Sequence, residues 1–164
     1  MNFARQSVAR PMDMPSTSMP HGLRSGAAWL ASAPQAEAEA FLTELSKDAI
    51  LTLPYLFEFW ALEHQLPPEG DWKTWAILGG RGAGKTRAGA EWVRSRVEGA
   101  RPLEAGGAHR VALVGETIEQ VREVMVFGES GILACSPPDR RPTWEATRKR
   151  LVAQCGGGAG FFGT

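Results

Sequence analysis

Residues Gly79-Gly80-Arg81-Gly82-Ala83-Gly84-Lys85-Thr86 fit the pattern G-x-x-x-x-G-K-[ST] in full. A short apolar, partly β-prone run, Thr74-Trp75-Ala76-Ile77-Leu78, stands directly before them. Lys85–Val97 follows as a predicted helix, with Ala88, Trp92, Val93 and Val97 on its inward face. Strand, glycine loop and helix in that order are the context that a phosphate-binding P-loop requires. Glycines let the backbone curl so that successive N–H groups converge on phosphate oxygens. The loop ends on a helix N-terminus, whose partial positive charge favours anions. In this reading Lys85 reaches the β- and γ-phosphates of ATP, and the Thr86 hydroxyl ligates Mg²⁺. A dinucleotide fingerprint fits less well, because the glycines do not run G-x-G-x-x-G.

Arg81 admits two readings from the residue alone. It neutralises charge on a transferring phosphoryl group, or it points to solvent from the loop crest. Hydrolysis also needs a second strand ending in Asp, for the Mg²⁺ shell. Val111-Ala112-Leu113-Val114 is a buried-strand run, but Gly115-Glu116 follows it, and Glu116 reads better as a loop residue. No other apolar run after the loop ends in Asp or Glu, so the catalytic carboxylates are expected to be absent.

The expected fold class is α/β: a P-loop NTPase with a parallel sheet and flanking helices, incomplete, after a helical N-terminal lead-in. Residues 1–35, rich in Pro, Ser, Met and Ala, read as disordered or as an over-extended start. The N-terminal portion of a P-loop domain is expected over 36–152. Helices are predicted from Ala36 to about Leu53 and over Tyr55–Glu63, the latter with Leu56, Phe57, Trp60 and Ala61 on one face. Thr117 and Gln120 have capping-box spacing and open another helix, with Ile118, Val121 and Val124 apolar. Thr143–Val152 reads as one more strand. Residues 153–164, ending Gly-Gly-Gly-Ala-Gly-Phe-Phe-Gly-Thr, have no periodicity.

Eighteen basic and eighteen acidic side chains cancel, so bulk charge is no argument for nucleic acid. The cluster Arg148-Lys149-Arg150, near Arg140-Arg141, reads as a solvated strand and turn or as a phosphate-backbone contact. Cys135 and Cys155 lie outside metal-ligand spacing and read as reduced thiols. His64 and His109 are isolated. No apolar run approaches the roughly 18 residues of a membrane span, and no secretory signal is visible.

The blocks around the loop are Gln65-Leu66-Pro67-Pro68-Glu69-Gly70-Asp71-Trp72-Lys73-Thr74-Trp75 and Arg87-Ala88-Gly89-Ala90-Glu91-Trp92-Val93. With Val111–Thr117 and Gly128-Glu129-Ser130-Gly131-Ile132-Leu133, they resemble the large terminase subunit of tailed phages, especially forms from prophages and gene transfer agents. The resemblance spans about residues 38–152. It implies an ATPase that drives double-stranded DNA into a capsid in the bacterial cytoplasm. The implied partners are a small terminase subunit and the capsid portal. It further implies that Gln65 contacts adenine and that Arg81 acts in hydrolysis. The family's Asp-Glu strand, coupling motif and acidic nuclease have no counterpart here. A one-base shift across Val152–Gly163 admits the family's Leu-Pro-Asn segment, so a frameshift near Val152 and impaired activity are expected. The competing readings are another small P-loop NTPase and a non-enzymatic fragment that docks on the packaging complex.

Overall fold

The computed structural model describes residues 25–99 and 106–154. Four short helices come first: α1 (Gly26–Ser32), α2 (Gln35–Glu44), α3 (Lys47–Thr52) and α4 (Phe57–Trp60). The helix α1 lies where the sequence predicts no element; residues 1–24 fall outside the described set. One predicted helix over 36–53 is two. Leu45 is extended, and the Ser46 hydroxyl accepts the Ala49 N–H at 3.1 Å, starting a new helix there. The helix predicted over Tyr55–Glu63 contracts to α4 and a 3₁₀ turn, Glu63–Gln65. Of its expected inward face only Ala61 is buried, while Leu56 and Trp60 are exposed.

The helix α5 (Lys85–Val97) has the bounds read from sequence. It buries Ala88, Ala90, Glu91, Val93 and Val97. Around it assemble α6 (Ile118–Gln120), which continues as a π-helical turn over Val121–Val126, and α7 (Ile132–Cys135). The core consists of Ala90, Val93, Val97, Val126, Ile132, Cys135 and Leu151. The predicted Thr117 cap is present: its hydroxyl accepts the Gln120 N–H at 3.1 Å, while Gln120 Oε1 accepts from Glu116 N–H. The inward face differs from expectation. In the π turn the Phe127 N–H donates to Arg122 O, an i to i−5 step. That winding puts Val121 and Val126 inside and leaves Val124 exposed.

The predicted strand over 143–152 is a hairpin of β1 (Thr143–Glu145) and β2 (Arg150–Val152), paired antiparallel with Trp144 opposite Leu151. Lys149 turns the chain at φ +48°. Leu151 reaches the core, and Trp144 packs on it edge to face with Phe127. The basic cluster thus sits on a turn and strand, where Arg150 and Arg148 both pair with Glu145. Its charge is partly spent on that carboxylate.

The expected parallel sheet is not formed among the described residues, whose one sheet is this hairpin. The runs 75–78 and 111–114 nonetheless alternate like strands. Trp75, Ile77, Val111 and Leu113 are half-buried, and Ala76, Leu78, Ala112 and Val114 face out. Leu78 is 91% exposed and Val114 67%. Val111 and Leu113 pack against the core around α5, so each run is covered on one side at most. Parallel sheets are stable when helices cover both faces and further strands extend the ladder. Without that second layer the two runs stay extended and unpaired.

Candidate functional site

The glycine loop is shaped by two left-handed residues, Gly82 at φ +83° and Gly84 at φ +75°. A side chain at either position is strained, which explains why glycine stands there. Gly84 is the residue before α5 and offers no side-chain cap. The first intrahelical bond of α5 runs from Ala88 N–H to Gly84 O at 2.9 Å. The amides of the first helical turn therefore point out of the helix without an intrahelical acceptor. The positive end of the helix dipole adds to them.

Lys85 folds back over the loop. Its Nζ donates to Gly79 O at 2.8 Å and Gly80 O at 2.7 Å. The ammonium thus stands at the loop mouth, beside the uncapped helix start. Thr86 is half-buried one residue into the helix, and Arg81 is exposed on the loop crest. Of the residues from Gly79 to Thr86, the structure brings the Lys85 ammonium onto the carbonyls of Gly79 and Gly80.

Gln65 also joins the loop from 18 positions upstream: its Nε2 donates to Ala83 O at 3.2 Å. The Nε2 of His64 lies 3.4 Å from the same carbonyl. The other end of the Gln65 amide is engaged too, because Oε1 accepts the Leu62 N–H at 2.9 Å.

The helix α5 also carries an ionic cluster that its apolar pattern does not reveal. Glu91 is buried on α5, with Arg87 at 2.7 Å and Arg94 at 2.8 Å from its two carboxylate oxygens. Burial pushes the Glu91 carboxyl above its ordinary range, and Arg94 and Arg87 oppose that rise. Arg94 also donates to Tyr55 O at 2.8 Å and to Cys135 O, which fastens α5 to the N-terminal helices and to α7. The available signal was the spacing of Arg87, Glu91 and Arg94 on one helix, where such pairs meet. The apolar pattern of the helix marks Ala88, Trp92, Val93 and Val97 instead. Among the described residues no three His, Cys, Asp or Glu side chains gather to hold a metal ion. Glu116 is exposed near the start of α6 and His109 is exposed. No helix among the described residues is long and apolar enough to cross a membrane.

A chain of mixed helix and small sheet, with a self-closed glycine loop on an uncapped helix, is the class that these features define. The family model of terminase large subunit, T4likevirus-type, N-terminal, matches residues 76–164, just over half of the sequence. The chain belongs to that family, and a general role in terminase DNA packaging goes with it. The matched span starts inside the extended run before the glycine loop and includes the loop, α5 and the hairpin. No curated protein and no solved structure gives a match.

Proposed function

We propose that this chain supplies the nucleotide-binding part of a DNA-packaging motor, in which ATP drives double-stranded DNA into a capsid. The observation that carries the reading is the loop Gly79–Thr86: left-handed glycines, an uncapped helix start and an ammonium at one mouth. Phosphate oxygens carry negative charge and draw the Lys85 ammonium more strongly than neutral carbonyls do, since attraction between opposite full charges adds to the hydrogen bond. Lys85 therefore exchanges Gly79 and Gly80 for the β- and γ-phosphates. The first-turn amides of α5 receive the remaining oxygens. Thr86 offers its hydroxyl to Mg²⁺, which supplies charge neutralisation at the phosphates. Arg81, exposed and close in sequence to both, is the candidate for stabilising charge during hydrolysis.

Binding is the activity proposed for these residues, and hydrolysis that of an assembled motor. The resemblance to terminases suggests a small terminase subunit and the capsid portal as further partners, and the bacterial cytoplasm as the place of action. Titration of the chain with MgATP tests the reading. Saturable binding is expected, weakened at least about tenfold by Lys85→Ala, as loss of a charge-assisted contact requires. Equal affinity in that variant, or no binding by the unaltered chain, refutes it.

A further inference from the structure

We infer that Gln65 is a positioning residue for the glycine loop, acting on the phosphate site through the Ala83–Gly84 peptide. The inference rests on the nucleotide-binding reading above. It begins with what the Gln65 amide already does. Both ends are committed within the chain: Oε1 to Leu62 N–H at 2.9 Å, Nε2 to Ala83 O at 3.2 Å. Two neighbouring side chains of one 3₁₀ turn aim at that single carbonyl, His64 Nε2 lying 3.4 Å away.

The steric fit points the same way. A Cβ placed on Gly84 would lie 2.0 Å from Gln65 Nε2, so the amide occupies the space beside the Gly84 Cα. A trans peptide directs its carbonyl and its N–H to opposite sides. Holding the Ala83 carbonyl toward Gln65 therefore aims the Gly84 N–H away from it. Gly84 stands at φ +75°, a residue with wide conformational freedom, so this peptide plane is free to rotate unless something fixes it. The turn at Glu63–Gln65 is held in its own right, with Gln65 N–H on Leu62 O at 2.8 Å. It is a braced support for an otherwise mobile peptide.

The experiment compares three ligands: MgATP, MgGTP and magnesium tripolyphosphate, which has no base. Gln65→Met keeps the side-chain length and removes both polar ends. The positioning role predicts that all three affinities fall by one common factor, about tenfold, the size of a lost hydrogen bond at the top of its usual range. A fall for ATP alone, with tripolyphosphate unchanged, assigns Gln65 to the base and overturns the inference. No fall for any ligand overturns it as well. Amide hydrogen exchange on the nucleotide-free chain gives a readout that does not depend on ligand binding. Gln65→Glu keeps the acceptor for Leu62 N–H and removes the donor to Ala83. Faster exchange confined to residues 82–86 is expected, and unchanged exchange there rejects the brace. If the unaltered chain binds none of the three ligands, the nucleotide-binding proposal fails while the exchange result still decides the brace.

Discussion

None of the helices α1 to α4 contains a buried residue, whereas α5 alone buries five. The two regions hold together by different means. From α5 onward, side chains of four elements interlock in one core, down to Cys135 and Leu151, which are almost wholly enclosed. The N-terminal helices rely on a chain of aromatic contacts: Trp29 edge-on to Phe41 at 5.8 Å, Phe41 stacked on Phe59 at 6.3 Å, Phe59 edge-on to Trp60 at 5.2 Å. Gly26 lets α1 sit close on Phe59, where a Cβ would come within 2.5 Å of the ring. A cavity of about 720 Å³ separates α2 and α3 from the Pro138–Arg140 turn, bordered by Phe41, Leu45, Leu53 and Tyr55. The N-terminal region is thus docked on the core more than built into it. Its polar tie to α5 runs through Arg94.

This contrast can be broken at Arg94. Replacing Arg94 by Ala removes the bonds to Tyr55 O and Cys135 O and leaves buried Glu91 with Arg87 alone. Breaking a buried charge pair costs about 3 kcal/mol or more. Urea unfolding is expected to show that loss, and amide exchange in α1–α4 is expected to quicken more than in α5. Protection that drops equally in both regions would show that the N-terminal helices do not depend on this tie.

A paired truncation sharpens the comparison. Leu151→Ala empties a fully enclosed core position and is expected to cost about 3 kcal/mol. Phe59→Ala removes a half-buried ring from the aromatic chain and is expected to cost about 1–2 kcal/mol. Denaturant midpoints of the two variants measure the difference. Equal costs would mean that the N-terminal region is as tightly integrated as the core.

The core should also be the region that answers to alkali. Burial pushes the Cys135 thiol from 9.0 up to about 11, with Arg87 opposing and Glu91 adding to the rise. The unfolded thiol ionises near its ordinary value while the folded one keeps its proton. The folded state therefore binds more protons in that window, and stability falls with rising pH. The contribution is whole below about pH 9 and is lost on the order of 2 kcal/mol by about pH 11. Cys135→Ala should flatten this slope in thermal melts taken across the same range. A slope that persists in the variant would assign it to other groups.

What each region owes to local sequence differs too. The glycine loop and α5 were legible because their causes lie within a few residues: glycine freedom, helical period and the pattern from Gly79 to Thr86. The Thr117 cap is of the same kind. The π turn at Val121–Val126 is not legible in sequence, because a 3.6-residue period places Val124 inward where packing selects Val126. The hairpin was hidden because Ala146–Lys149 carries no glycine or asparagine to mark its turn, and Lys149 takes φ +48° unaided. The extended runs at 75–78 and 111–114 showed the strand period, yet a ladder needs partners that local pattern does not supply.

The amino-acid sequence by itself determined the glycine loop and the bounds of α5, since backbone sterics and periodicity act over short separations. The tertiary structure alone decided that Gln65 meets Ala83 from 18 positions away and that Arg94 reaches Tyr55 and Cys135 across 39 and 41. Contacts of that span form only when packing brings distant segments together, and no local propensity encodes them.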